Sequence, residues 1–185
     1  MHLATTDAGN ELLERDPLAL LIGMLLDQQI PMEKAFTSPS VLRERLGHDL
    51  DAVEIARYDT AAFEQLFRTP PALHRFPAAM AKRVQAMARL LVDEYDGSAA
   101  IVWSGAKDGA DLVRRVGNLP GFGEQKAKIF TALLGKQLQV RPAGWREAAG
   151  AFGEENSFRS VADVVDDASL RKVRATKQAA KASAL

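Results

Sequence analysis

Cysteine is absent from the chain of 185 residues, which excludes disulfides, iron–sulfur clusters and thiolate zinc sites. Histidine is scarce: His2, His48 and His74 are scattered and form no His-x-x-x-His pair, so a side-chain metal site is not expected. Long apolar runs are missing too. The longest, "LALLIGMLL" from Leu18 to Leu26, is far below the roughly 18 residues that would argue a membrane span; it predicts a buried helix. The opening "MHLATTDAGNELLERD" carries acids where a signal peptide would carry bases, so a cytoplasmic protein is expected. Strand signals are nearly absent, and the isolated "AAIVW" is too short to build a sheet.

Net charge is zero, but the charge is unevenly distributed. Residues 1 to 110 hold 11 bases and 16 acids, and residues 111 to 150 hold seven bases and three acids. Residues 151 to 170 hold one base and five acids, whereas residues 171 to 185 hold five bases and no acid. Local fields, not the net charge, attract phosphate.

Helical signals recur along the chain. Asp16 followed by Pro17 is a cap with proline at the first helical position, opening a helix apolar nearly all round through Leu26. Thr60 is read as the cap of "AAFEQLF", and Pro70-Pro71 breaks the chain after it. From Pro77 to Gly97, Met80, Val84, Met87, Leu91 and Tyr95 recur at spacings of three or four, predicting an amphipathic helix of about five turns. Shorter helices are expected at Gly109 to Gly117 and at Glu124 to Leu134, the latter stopping at Gly135. The stretch "GWREAAGAF" should form another. Ser160 with Asp163 reads as a capping box for "VADVV", and the basic tail 171–185 is either a frayed helix or disordered. An all-α fold is expected, as one helical domain over residues 1–185 with no internal repeat.

The segment "NLPGFGEQKAKIF", Asn118 to Phe130, joins two of these helices. Pro120 fixes one backbone angle, while Gly121 and Gly123 permit positive φ and the close approach of another molecule. Unpaired amides around Gly121, Gly123 and Glu124 then face outward at a helix amino terminus, where an anion binds. Lys126 and Lys128 follow, which points to a nucleic-acid phosphate contacted without reading sequence. Alternatively, the glycines only make the turn.

"LPGFGEQKAKIF" closely resembles the helix-hairpin-helix motif, here about residues 109–134, of the HhH-GPD superfamily of DNA repair glycosylases, which includes endonuclease III and the adenine and alkylpurine glycosylases. "LLIGMLLDQQIPMEKAF", Leu20 to Phe36, resembles the family's central helix with its Gln-Gln turn, and "KRVQAMARLL" sits where the family has a helix before the hairpin. The resemblance spans about residues 16 to 150. It implies two helical lobes with double-stranded DNA, and a nucleotide extruded from it, held in the cleft between them. Gly121 and Gly123 match the hairpin glycines whose amides hold a DNA phosphate, and carbonyls near Leu119 and Gly121 match those that bind a monovalent cation, sodium or potassium. Gln29 matches a glutamine that in some members fills the space left by the extruded base; alternatively it caps backbone groups of the preceding helix.

Two departures from the family pattern bear on chemistry. The catalytic lysine of bifunctional members falls two positions after the second hairpin glycine, where this chain has Gln125; Lys126 lies about 100° further round the helix. The aspartate that stabilises the positively charged sugar falls where this chain has Arg141, after Val140, and no acid lies between Glu124 and Glu147. Asp27 and Glu147 are the available carboxylates. The cluster cysteines of some members are missing as well, so no iron–sulfur cluster and no other cofactor is expected. Three functions remain open: a monomeric, monofunctional glycosylase of base-excision repair, a DNA-binding protein of the same fold without chemistry, or a helical protein-interaction module.

Overall fold

The computed structural model describes residues 1–183; the last two positions of the basic segment lie outside the described residues. Eleven α-helices and no strand occur among the described residues. The chain divides into two compact units, one formed by Ala4–Val102 with Leu119–Gly121, the other by Met1–Leu3, Trp103–Asn118 and Phe122–Leu185.

The first unit is organised by α2, Pro17–Leu26, in which every residue from Leu18 to Leu26 is buried. Asp16 starts this helix, its carboxylate accepting from the amides of Leu18 at 2.9 Å and Ala19 at 3.2 Å. Burial pushes the Asp16 carboxyl above its ordinary value, against the pull of those two bonds. Around α2 pack α1, Asp7–Arg15, and α3, Met32–Leu46. The long α6, Pro77–Tyr95, buries Met80, Val84, Met87, Leu91 and Tyr95, and carries α4, Ala52–Arg57, and α5, Thr60–Arg68. Gln85, buried in α6, donates to the carbonyls of Ile55 and Tyr58 at the end of α4, so a helix end enclosed by packing keeps its hydrogen bonds.

Several local expectations are corrected. Asp59, not Thr60, caps α5: its carboxylate accepts from the Ala62 amide at 2.8 Å, and Thr60 is the first helical residue. "AAIVW" lies in a helix, α7, Ala99–Ser104, because β-branched residues form strands only where a partner strand exists.

In the second unit, α8, Gly109–Gly117, packs against α9, Glu124–Gln137, and both carry α10, Trp145–Ala149. Helix α9 does not stop at Gly135 but runs on to Gln137; the Trp145 ring lies where a Cβ at Gly135 would be, so this glycine admits a neighbour instead of ending a helix. The capping box of Ser160 and Asp163 is present, but it caps a 3-10 turn, Val161–Asp163, not an α-helix. The basic segment is helical through the last described residue, in α11, Asp167–Ser183.

Asp111 in α8 is a carboxylate held strongly in its charged form. The Lys107 amide, then the guanidiniums of Arg114 and Arg115, hold its carboxyl down at about 2. A depressed folded value stabilises the protein above the ordinary value of 3.8 and loses that contribution as pH falls towards about 2. Asp111→Asn should therefore lower Tm at pH 6, and the gap to the parent should close between pH 4 and pH 2. Thermal unfolding across that range checks this; a gap independent of pH would exclude the carboxylate as its source.

Candidate nucleic-acid interface

Helices α8 and α9 present a turn whose apolar residues anchor it from within. Phe122 is buried with its ring edge-on to Phe130, centroids 6.0 Å apart, and Trp103 lies 5.8 Å from Phe130 on a second side. Ala127, Phe130 and Leu134 are buried along α9. The side chains therefore fix the turn, and its backbone is left at the surface.

The two glycines differ. Gly121 has φ +86°, and a Cβ there would lie 3.0 Å from Cγ of Leu25; both its conformation and its neighbour demand glycine. Gly123 corrects the expectation of positive φ: with φ −87° and ψ 178° it is the extended N-cap of α9. A Cβ added to Gly123 would meet nothing within 4 Å. Nothing inside the chain requires glycine there. The α9 amino terminus has no side-chain cap, so its first amides are left for an external acceptor.

Of the two nearby lysines, Lys128 donates to Glu124 at 2.7 Å, one turn earlier, and this bond holds the Glu124 carboxyl below its ordinary range. The pair offsets its own charge. Lys126 sits with Nζ 5.9 Å from the centre of the Phe122 ring. Gln125 is exposed in the first turn. Among the described residues no backbone amide donates to the carbonyls of Leu119 and Gly121, and bare backbone oxygens are the donor set that a sodium or potassium ion takes in place of water.

Arg141 has a structural task. Past α9 the chain turns back, with the Leu138 and Val140 amides both donating to the Leu134 carbonyl and Gln139 at φ 59°. The Arg141 Nε then donates to the Gly135 carbonyl at 2.8 Å, so a cation satisfies a bare carbonyl at the negative end of the helix. Glu147 is exposed on α10 beside a cleft of about 370 Å³, lined also by Arg146, Gly150, Gly153, Glu154 and Glu155. No ring lines that cleft, so it offers nothing on which a base could stack.

In the first unit, Asp27 is the half-buried C-cap of α2 and leads into the Gln28-Gln29 turn. Gln28, not Gln29, does the capping. Its Nε2 donates to the Leu25 carbonyl at 2.8 Å, its Oε1 accepts from Arg83 at 3.1 Å, and its carbonyl accepts from His74 Nε2 at 2.9 Å. His74 is 1% exposed. Because its Nδ1 accepts from the Phe76 amide at 3.0 Å, the proton belongs on Nε2. Held by these bonds, the turn leaves Gln29 exposed in the left-handed region at φ 57°. His74 and Arg83 are the residues that sequence reasoning missed; they lie 46 and 55 positions from Gln28, and no local pattern links them to it.

No group of three or more metal-ligating side chains occurs among the described residues, and none of their helices is long and apolar enough to cross a membrane. Comparison with curated proteins and with solved structures returned no match. The model of the HhH-GPD superfamily base excision DNA repair proteins does match, over residues 22–184, and takes in the Gln-Gln turn, the glycine hairpin and α11: the chain belongs to the HhH-GPD superfamily, whose members are base-excision DNA repair glycosylases.

Proposed function

We propose that the protein is a monofunctional DNA glycosylase that hydrolyses the N-glycosidic bond of a damaged or mismatched base in double-stranded DNA, as a monomer and without a cofactor. The observation that carries this is the uncapped α9 amino terminus at Gly123, open to an approaching phosphate, in a chain of this superfamily. Amides around Gly121 and Gly123 hold the phosphate, with Lys126 and Lys128 beside them and, at the carbonyls of Leu119 and Gly121, a monovalent cation. Gln29, exposed on its braced turn, fills the space left by the extruded base. Gln125 has no amine, so no imine to the sugar forms and the strand is not cut.

Water adds to the sugar C1′ as the C1′–N bond breaks; the base leaves with the bonding electrons and takes up a proton, and the added water gives one up, leaving a hydroxyl on C1′. A glycosylase assay on duplexes carrying uracil, mismatched, oxidised or alkylated bases tests the reading, with and without alkali. Abasic sites that become nicks only after alkali are expected; borohydride trapping of a covalent adduct that Lys126→Gln abolishes would overturn the monofunctional assignment.

One observation favours a second reading, DNA binding without chemistry: Arg141, which the resemblance matches to the family's aspartate, is folded onto the Gly135 carbonyl. Tight binding with no excision of any of these bases would select it.

Gly123→Ala separates the hairpin's recognition role from its folding role. An alanine fits the extended backbone and open space at this position, so stability should fall by about 1 kcal/mol or less, the N-cap preference for glycine over alanine. Duplex affinity should fall about tenfold or more, because the methyl group stands between the amides and a phosphate whose charge-assisted bonds are each worth roughly 1.5–3 kcal/mol. Fluorescence anisotropy with a labelled duplex measures this, and parental affinity would rule the contact out.

A further inference from the structure

We infer that α11 is a second DNA-binding element that lays a basic stripe along the phosphates of a duplex; the inference rests on the reading of this protein as a binder of double-stranded DNA. Within α11, Ser169 and Val173 are the buried residues, and the helix packs on the 3-10 turn Val161–Asp163. From Arg174 to Ser183 every residue is exposed. At about 100° per residue, Arg171, Arg174, Lys177 and Lys181 fall within an arc of roughly 120°, turned roughly 120° from the buried face. Lys172 lies off this stripe and is occupied elsewhere, its Nζ 4.5 Å from the centre of the Phe158 ring.

The helix is polarised along its length. Asp166 and Asp167 stand at its start, where Asp166 binds the Ser169 amide at 2.7 Å and Asp167 pairs with His2 at 2.9 Å. No acid follows them. Acids at the amino end and bases beyond suit the helix dipole, but the dipole does not require four bases on one face. From Arg171 to Lys181 the stripe extends about 15 Å, and one DNA strand places a phosphate every 3.4 Å or so of duplex axis. Four bases on one face over this length suit contact with about two to four phosphates of a duplex backbone.

An anionic membrane would attract the same charge, but a helix that lies in a membrane also needs a face of large apolar residues. Between Arg171 and Ser183 the only such residue is Val173, and it is buried. The exposed remainder is alanine, threonine, serine and glutamine. The occupant that fits is a duplex backbone, contacted without sequence preference.

The test is the salt dependence of duplex binding by the full chain, compared with the variant R171Q/R174Q/K177Q/K181Q. Glutamine preserves helix propensity, and far-UV circular dichroism confirms the fold. Each phosphate contact contributes about −0.9 to the slope of log affinity against log salt, so a loss of two to four contacts should flatten the slope by about 1.8–3.6. The charge-preserving variant R171K/R174K/K177R/K181R should keep the parental slope. A slope changed by less than one contact, or a parent that binds no duplex at low salt, overturns the inference. So does a variant that loses binding only to vesicles of phosphatidylcholine and phosphatidylserine. Binding is read without catalysis, so an inactive enzyme leaves this test intact, and an unchanged slope leaves the glycosylase reading standing.

Discussion

Asp163→Ala is expected to destabilise the folded protein by about 3–5 kcal/mol, the usual penalty for removing one partner of a buried ion pair. The Lys136 ammonium lies 2.5 Å from the Asp163 carboxylate, with side chains only 14% and 4% exposed. Ser157 Oγ donates to the same carboxylate oxygen at 3.2 Å, and the amides of Arg159 and Ser160 donate to the other at 2.8 and 3.2 Å. Truncation therefore leaves the Lys136 ammonium without its counter-charge, with only the Ser157 hydroxyl at 3.1 Å to accept from it, and strands two amides. Lys136→Met should cost less, because Asp163 keeps its hydroxyl and both amides. The pair K136M/D163N should recover part of the loss, since it removes both charges from a site where keeping them requires desolvation. Urea denaturation gives all three values, and a loss below about 1 kcal/mol for Asp163→Ala would mean that water reaches the pair. The same carboxylate caps the turn on which α9 and α11 both pack, so a destabilised turn should also weaken DNA binding through α11.

Asp163 shows what could be read in the sequence and what could not. Its capping box with Ser160 is local and legible, but its partner Lys136 stands 27 positions away, on a helix that the sequence pattern alone ends at Gly135. Glycine is a weak helix former in isolation, and only the Trp145 ring explains why α9 continues through it. The legible elements are those whose determinants are close in sequence: the Asp16-Pro17 cap, the apolar run of α2 and the three-four spacing of α6. The hairpin was legible as a motif, but a one-letter pattern does not say which glycine takes the left-handed conformation. Contact with Leu25 answers that for Gly121, and Gly123 proves to be an ordinary extended residue. The Glu124–Lys128 pair could have been anticipated from its spacing of four. The bracing of the Gln28 turn by His74 and Arg83 could not.

That turn leads to the largest expected effect on chemistry. Arg141 cannot stabilise a sugar cation, because its guanidinium is positive and bonded to Gly135, so the proposed excision needs a carboxylate from elsewhere. Of the two candidates, Glu147 stands beside a cleft without a ring, whereas Asp27 is half-buried at the root of the turn that presents Gln29. Under the proposal that Gln29 fills the space of an extruded base, Asp27, two positions before it, is the carboxylate assigned to the sugar of that nucleotide. Asp27→Asn should therefore lower the single-turnover rate of excision by about 10²–10³, the scale of losing one preorganised electrostatic stabiliser. Duplex affinity should remain within severalfold of the parent, because Asp27 acts on charge that develops only as the bond breaks. Glu147→Gln should leave both quantities within severalfold. Single-turnover kinetics on the base that the parent excises fastest, with anisotropy on the same duplex, separates the outcomes. Equal rates for parent and Asp27→Asn would remove Asp27 from the mechanism, and loss confined to Glu147→Gln would transfer the role to the second unit.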